Sequence, residues 1–99
     1  MTLEKIYLST LSTDEIFKRV IRDVEEDDIQ KNTIKEFALR KDAIAVCDRY
    51  VGVDGNKLYD SIFYLADCDK KDAKETYRDA LDNVKEILEN ASRNINRER

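Results

Sequence analysis

Val51-Gly52-Val53-Asp54-Gly55-Asn56 holds both glycines of the chain, and no proline occurs anywhere. Glycine and proline are the strongest punctuation of secondary structure, so their confinement to one short segment decides the fold. The 51 residues up to Val51 and the 44 from Asn56 onward run without either. Long stretches of this kind, rich in Lys, Glu, Leu, Ile and Ala, favour helices. An all-β chain of the same length needs several turn signals, which are missing. The expected fold is all-α: an antiparallel bundle of about four helices, one domain over residues 1–99.

Upstream of the glycines, the sequence predicts a helix from Asn32 to Val51. Gly52 sits where a left-handed residue ends a helix, and Val53 supplies the apolar contact of a Schellman stop. The apolar positions Phe37, Leu39, Ile44, Val46, Cys47, Tyr50 and Val51 spread over about 180° of this helix, which places it centrally. Downstream, Asp54 or Asn56 caps a helix running to Asp67, with Leu58, Tyr59, Ile62, Phe63, Leu65 and Ala66 in an arc of about 160°. A last helix starts near Asp69, and Asp72 adds to its acidic first turn. Ala73, Tyr77, Ala80, Leu81, Val84, Ile87, Leu88, Ala91 and Ile95 form its stripe, with Arg93, Arg97 and Arg99 complementing the dipole at its end. Lys85–Glu89 and Arg78–Asp82 have the spacing of surface ion pairs.

Further upstream, Ser12-Thr13-Asp14-Glu15 is a capping box. It opens a helix on which Ile16, Phe17, Val20, Ile21 and Val24 share a face about 140° wide. Residues 1–11 read either as a helix or as an extended arm packed on the bundle.

Composition narrows the function classes. The chain has 99 residues, 18 basic and 22 acidic, for a net charge of −4, and 41% of it is apolar. That is enough for one core. No apolar run nears the roughly 20 residues needed to cross a bilayer. Residues 1–12 show no basic leader or cleavage site, so a soluble, cytoplasmic protein is expected. The absence of His removes imidazole from any zinc or general-base site. Cys47 and Cys68 lack metal-ligand spacing and read as reduced, small core residues. No phosphate loop, metal-ligand set or nucleophile with an evident base appears, so no catalytic, cofactor or metal residue is nominated.

Basic and acidic residues divide evenly between the two halves, and no basic arm exists for nucleic acid. One dense run stands out: Asp23, Glu25, Glu26, Asp27 and Asp28, at the unfavourable C-terminal end of a helix. Such a cluster ends the helix or is met by a cation. It is also suited to steering a basic partner. Tyr64 is the second candidate, alone on the polar side of its helix. It is either covered by the N-terminal segment or offered to a partner, for which Tyr is a favoured anchor.

Two local patterns resemble known motifs. Gly52-Val53 followed by Leu58-Tyr59 and Ile62 resembles the turn and second helix of the helix-turn-helix in tetracycline-repressor-type regulators, over residues 44–63. The resemblance implies DNA binding, although Asp48 stands where that motif has a small residue. Its recognition helix would set Asp54 and Asp60 against Lys57. The spacing of Tyr64, Ala73, Tyr77 and Ala80 is similar to one tetratricopeptide unit, but no second copy is present, so it reports a tight helix pair. The expectation is therefore a small acidic, non-enzymatic protein of inhibitor, antitoxin, immunity or adaptor type, of bacterial or phage kind. It would bind another protein with a basic surface through Asp23–Asp28 and Tyr64. A second copy is a further candidate partner, since wide apolar faces often go into a homodimer.

Overall fold

Ser12 fixes where the first long helix begins. Its Oγ accepts the Glu15 N–H at 3.2 Å, so Ser12 is the N-cap as expected, and the Glu15 side chain reaches back to it by accepting from the Ser12 hydroxyl at 3.2 Å. The computed structural model describes residues 3–68 and 71–97. Within them lie α1 (Leu3–Ser9), α2 (Thr13–Glu25), α3 (Lys31–Ala38), α4 (Ala43–Val51), α5 (Gly55–Asp67) and α6 (Lys74–Arg97), with a 3₁₀ turn at Gly52–Asp54. The described residues contain no strand, and the helices pack into a small bundle of 44 × 32 × 22 Å.

The helix expected over 32–51 is two helices, broken at Leu39–Asp42. Angular arithmetic gives the reason. In an unbroken helix, Ile34, Phe37 and Ala38 would face roughly 180° away from Ala43, Val46 and Cys47. All six are buried. A chain with one core cannot cover both sides of one rod, so it breaks and turns both triads inward. The wide arc that suggests a central helix is two faces superposed.

The break is pinned from several sides. The Tyr59 hydroxyl donates to Ala38 O at 2.8 Å, serving a carbonyl that the end of α3 leaves unpaired. Arg40 bridges Glu36 Oε1 and Leu8 O, each at 3.1 Å. The Thr13 hydroxyl donates to Asp42 Oδ1 at 2.6 Å. That bond holds the Asp42 carboxyl below the usual carboxylate range.

Gly52 adopts φ +67° and ψ −130°, a conformation open to glycine, and its N–H returns to Asp48 O. The expected Schellman contact of Val53 does not form, because Val53 enters the 3₁₀ turn and is 98% exposed. Gly55 then opens α5 against α4 so closely that a Cβ there would lie 2.7 Å from both N and Cα of Asp48.

α5 is the hub, packing on α3, α4 and α6, while α2 rests chiefly on α3 and lightly on α4 and α6. Phe17 on α2 tilts against Phe37 at 5.4 Å and stacks on Tyr50 at 4.8 Å. The opening segment is a helix: Leu8 is buried, and Arg19 donates to the Tyr7 hydroxyl at 3.1 Å while lying over its ring. The last helix begins at Lys74 and not near Asp69: residues 71 and 72 form a turn, so Asp72 precedes the first turn of α6. Asp69 itself and Arg99 lie outside the described residues, as do the side chains of Arg93, Ile95 and Arg97. No described helix is long and apolar enough to cross a membrane.

Candidate protein-binding surface

The acidic run occupies the corner between α2 and α3, and its members have separate environments. Asp23 is buried and accepts the Gln30 N–H at 3.4 Å. Burial pushes its carboxyl up, with the Gln30 bond opposing. Asp27 takes φ +58°, which a short polar side chain tolerates. It accepts from Lys85 Nζ at 2.9 Å and from Arg78 Nη1 at 3.4 Å. The Lys85 hydrogen bond is the main cause holding its carboxyl below the ordinary range. The cation at the unfavourable helix end thus comes from α6 of the same chain. Arg78 and Lys85, whose spacing matches them with Asp82 and Glu89, reach across the fold to Asp27. Glu25, Glu26 and Asp28 remain exposed on this corner.

Tyr64 stands on the outer side of α5, away from the buried Leu58, Ile62, Leu65 and Ala66. Helix α1 packs on α3 rather than over it, and Tyr64 is 54% exposed. Two other side chains have the spacing of core residues and are not in the core. Phe63 is 50% exposed, and Leu39 is 77% exposed because the break throws it outward. Both line a shallow cavity of about 170 Å³ with Ala38, Ala66, Lys35 and Asp67. The position of Phe63 at the edge of its arc is a signal that places it outside. Leu39 has no such signal unless the break is seen. The structure puts Tyr64 and the acidic corner on elements that do not pack extensively on one another.

A third feature carries no local sequence signal. Two cavities lie along the seam between α2 and α6, and a third lies between α6 and Asp27. The first, of about 280 Å³, lies over Phe17, Ile21, Tyr50, Val51, Leu88 and Ala91. The second, about 430 Å³, lies between Val24, Glu25, Lys85 and Leu88. The third, about 270 Å³, lies by Asp27, Tyr77, Arg78 and Leu81.

The α4–turn–α5 corner has the form of a tight helix pair, and Gly55 supplies the small residue for its crossing. Its outward side chains include Lys57 but also Asp60, Phe63, Tyr64 and Asp67. That is a poor donor set for phosphates. Among titratable groups, Cys47 is fully buried and its thiol is pushed up to about 12 by burial, with Asp48 adding to the shift. This is opposite to the depressed value a nucleophilic thiol needs. Among the described residues, no group of His, Cys, Asp and Glu is arranged to hold a metal ion. Comparisons with protein-family models, curated proteins and solved structures return no match.

Proposed function

We propose that this chain acts by binding another protein and occluding or regulating a basic surface on it. The observation that carries the reading is the exposure of Tyr64, together with Phe63 and Leu39, on a chain of which 40% is charged. Large apolar and aromatic side chains held in the open on well-formed helices are what binding energy is drawn from. Glu25, Glu26 and Asp28 steer the encounter, whereas Asp23 and Asp27 hold the corner in shape.

Affinity capture of the tagged protein from lysate of its source, with and without nuclease, tests this. Support is a stoichiometric protein whose retention survives nuclease and is weakened at least tenfold by Tyr64→Ala. Changing Glu25, Glu26 and Asp28 to Ser is expected to slow association and flatten its salt dependence. An unchanged on-rate would remove steering from the mechanism. A second reading, duplex DNA contacted through residues 44–63, is favoured by the compact α4–turn–α5 corner. It requires salt-sensitive DNA binding that Lys57→Glu weakens.

A further inference from the structure

We infer that the outward face of α6, with the side of α5 that adjoins it, receives a cationic helix of the bound protein. This deepens the protein-binding reading and rests on it, since Tyr64 stands on the same face. Glu75, Asp79, Asp82 and Glu86 follow one another at i, i+4, i+7 and i+11 on α6, within about 60° of its circumference. All four are exposed, opposite the buried Ala80, Leu81 and Val84. Among the described residues none of the four meets a cation. The cations of the helix stand in a column of their own on the α2 side. Arg78 and Lys85 bond to Asp27 there, and Lys74 lines the cavity beside it. Helix neighbours of like sign at i+3 or i+4 are unfavourable. The acidic row has three such pairs in succession, so α6 keeps its charges apart where alternation would be more stable.

The second observation is a polar cavity of about 430 Å³ between α5 and α6, at the end of this row. Glu86 belongs to both. Asp54 and Asp60 add two more carboxylates, and Asn83 and Asn90 add amide oxygens, against the single cation Lys57. Row and cavity together thus present six carboxylates to one ammonium. Neighbours in the row are about 5–6 Å apart, within the screening length of about 8 Å at physiological salt, so they act as one field. An arginine suits the cavity, because its guanidinium has five donors and no acceptor. Lys57, Asp60, Ser61 and Tyr64 follow at i, i+3, i+4 and i+7 on α5, so Tyr64 lies one turn beyond the cavity on the same side. There its ring meets the apolar stem of a base whose charged head the carboxylates hold. The row is about 16 Å long, and a helix with bases at the same four spacings spans the same length.

The probe is a pair of labelled synthetic helices, about 16 residues long and identical in composition. One carries four arginines at i, i+4, i+7 and i+11, and the other has them spread around the helix. Both are titrated into the intact protein over a range of salt. The aligned helix is expected to bind more tightly and to shift the amide resonances of Asp79, Asp82, Asn83, Glu86 and Tyr64. Asp79→Asn, Asp82→Asn and Glu86→Gln together should weaken it about tenfold and flatten its salt dependence. The matched control, Glu25→Gln with Glu26→Gln and Asp28→Asn, removes the same charge at the α2–α3 corner and should change affinity by about twofold or less. Because the row variant relieves like-charge repulsion on an exposed face, its Tm should equal or exceed the parent's, which separates lost binding from lost fold. Equal weakening by the two triple variants would overturn the inference, as would equal binding of the two helices or shifts confined to the corner. In the lysate capture, a protein released by Tyr64→Ala but held by the row variant would overturn the row and spare the protein-binding reading. A lysate that yields no protein, while the aligned helix binds as expected, would overturn that reading and spare the charge pattern of this face.

Discussion

Replacing Gly55 by Ala separates what this residue does for its helix from what it does between helices. Gly55 opens α5 with φ −57° and ψ −43°, an ordinary helical conformation. Helix propensity alone therefore predicts that Ala stabilises by about 1 kcal/mol. Packing predicts the reverse. The added Cβ would lie 2.7 Å from both N and Cα of Asp48, roughly 1 Å inside ordinary carbon contact. Those are backbone atoms of α4, so no rotamer change relieves the clash and the two helices must part. Overpacking of this kind costs about 1–3 kcal/mol, and an unyielding backbone partner favours the upper end. The net expectation is a loss of about 2 kcal/mol, or a fall of roughly 8–16 °C in Tm for a domain this small. Thermal and urea unfolding monitored by circular dichroism measures it. Gly52→Ala is the control, because its Cβ meets nothing within 4 Å and its cost, about 1–2 kcal/mol, comes from the positive φ alone. A Gly55→Ala protein that melts at or above the parent temperature would refute the close α4–α5 contact.

The Asp27 tie gives a pH signature. Its carboxyl is lowered by Lys85 and Arg78, so its stabilisation is present above the unfolded carboxylate value, near 3.9, and is lost as pH falls through the folded value. Asp27→Asn keeps a residue that tolerates φ +58°, so its Tm should lie below the parent's at neutral pH and converge with it in acid, as a pH series of melts would show. Tyr59→Phe removes the bond to Ala38 O and is expected to cost about 1 kcal/mol in urea unfolding with little change in shape. Thiol labelling of the native protein should spare Cys47, which reacts only on unfolding, while the partly exposed Cys68 reacts slowly.

Local chemistry is legible in the sequence, and relations between distant segments are not. The Ser12 N-cap, the α2 face from Ile16 to Val24 and the burial of Ala80, Leu81 and Val84 on α6 can all be read from spacing. The Leu39–Asp42 break is readable in principle, since the two buried triads differ by half a turn, but a count of apolar positions hides their phase. Val53 shows the limit of motif reading: a glycine at the end of a helix does not determine the path of the next residues. At the acidic corner, composition shows only that the charge needs a counterion. Arg78 and Lys85 supply it from 51 and 58 residues away, a distance no local pattern spans. Tyr64 stands out by its isolation and Phe63 by its place at the edge of its arc, whereas Leu39 is hidden by being apolar among apolar neighbours.

The order in which the helices meet has a consequence for how the chain reaches this state. Its heaviest helix contacts join α4 with α5, α5 with α6, α3 with α5 and α2 with α3, all near neighbours in sequence. Such contacts close short loops, so most of the bundle can assemble quickly and from within. The α2–α6 seam is different, because it joins segments more than fifty residues apart through light packing and exposed ion pairs. Packing that light opens at low cost. That side of the molecule is thus one where the native protein opens readily, without disturbing the contacts that α5 gathers.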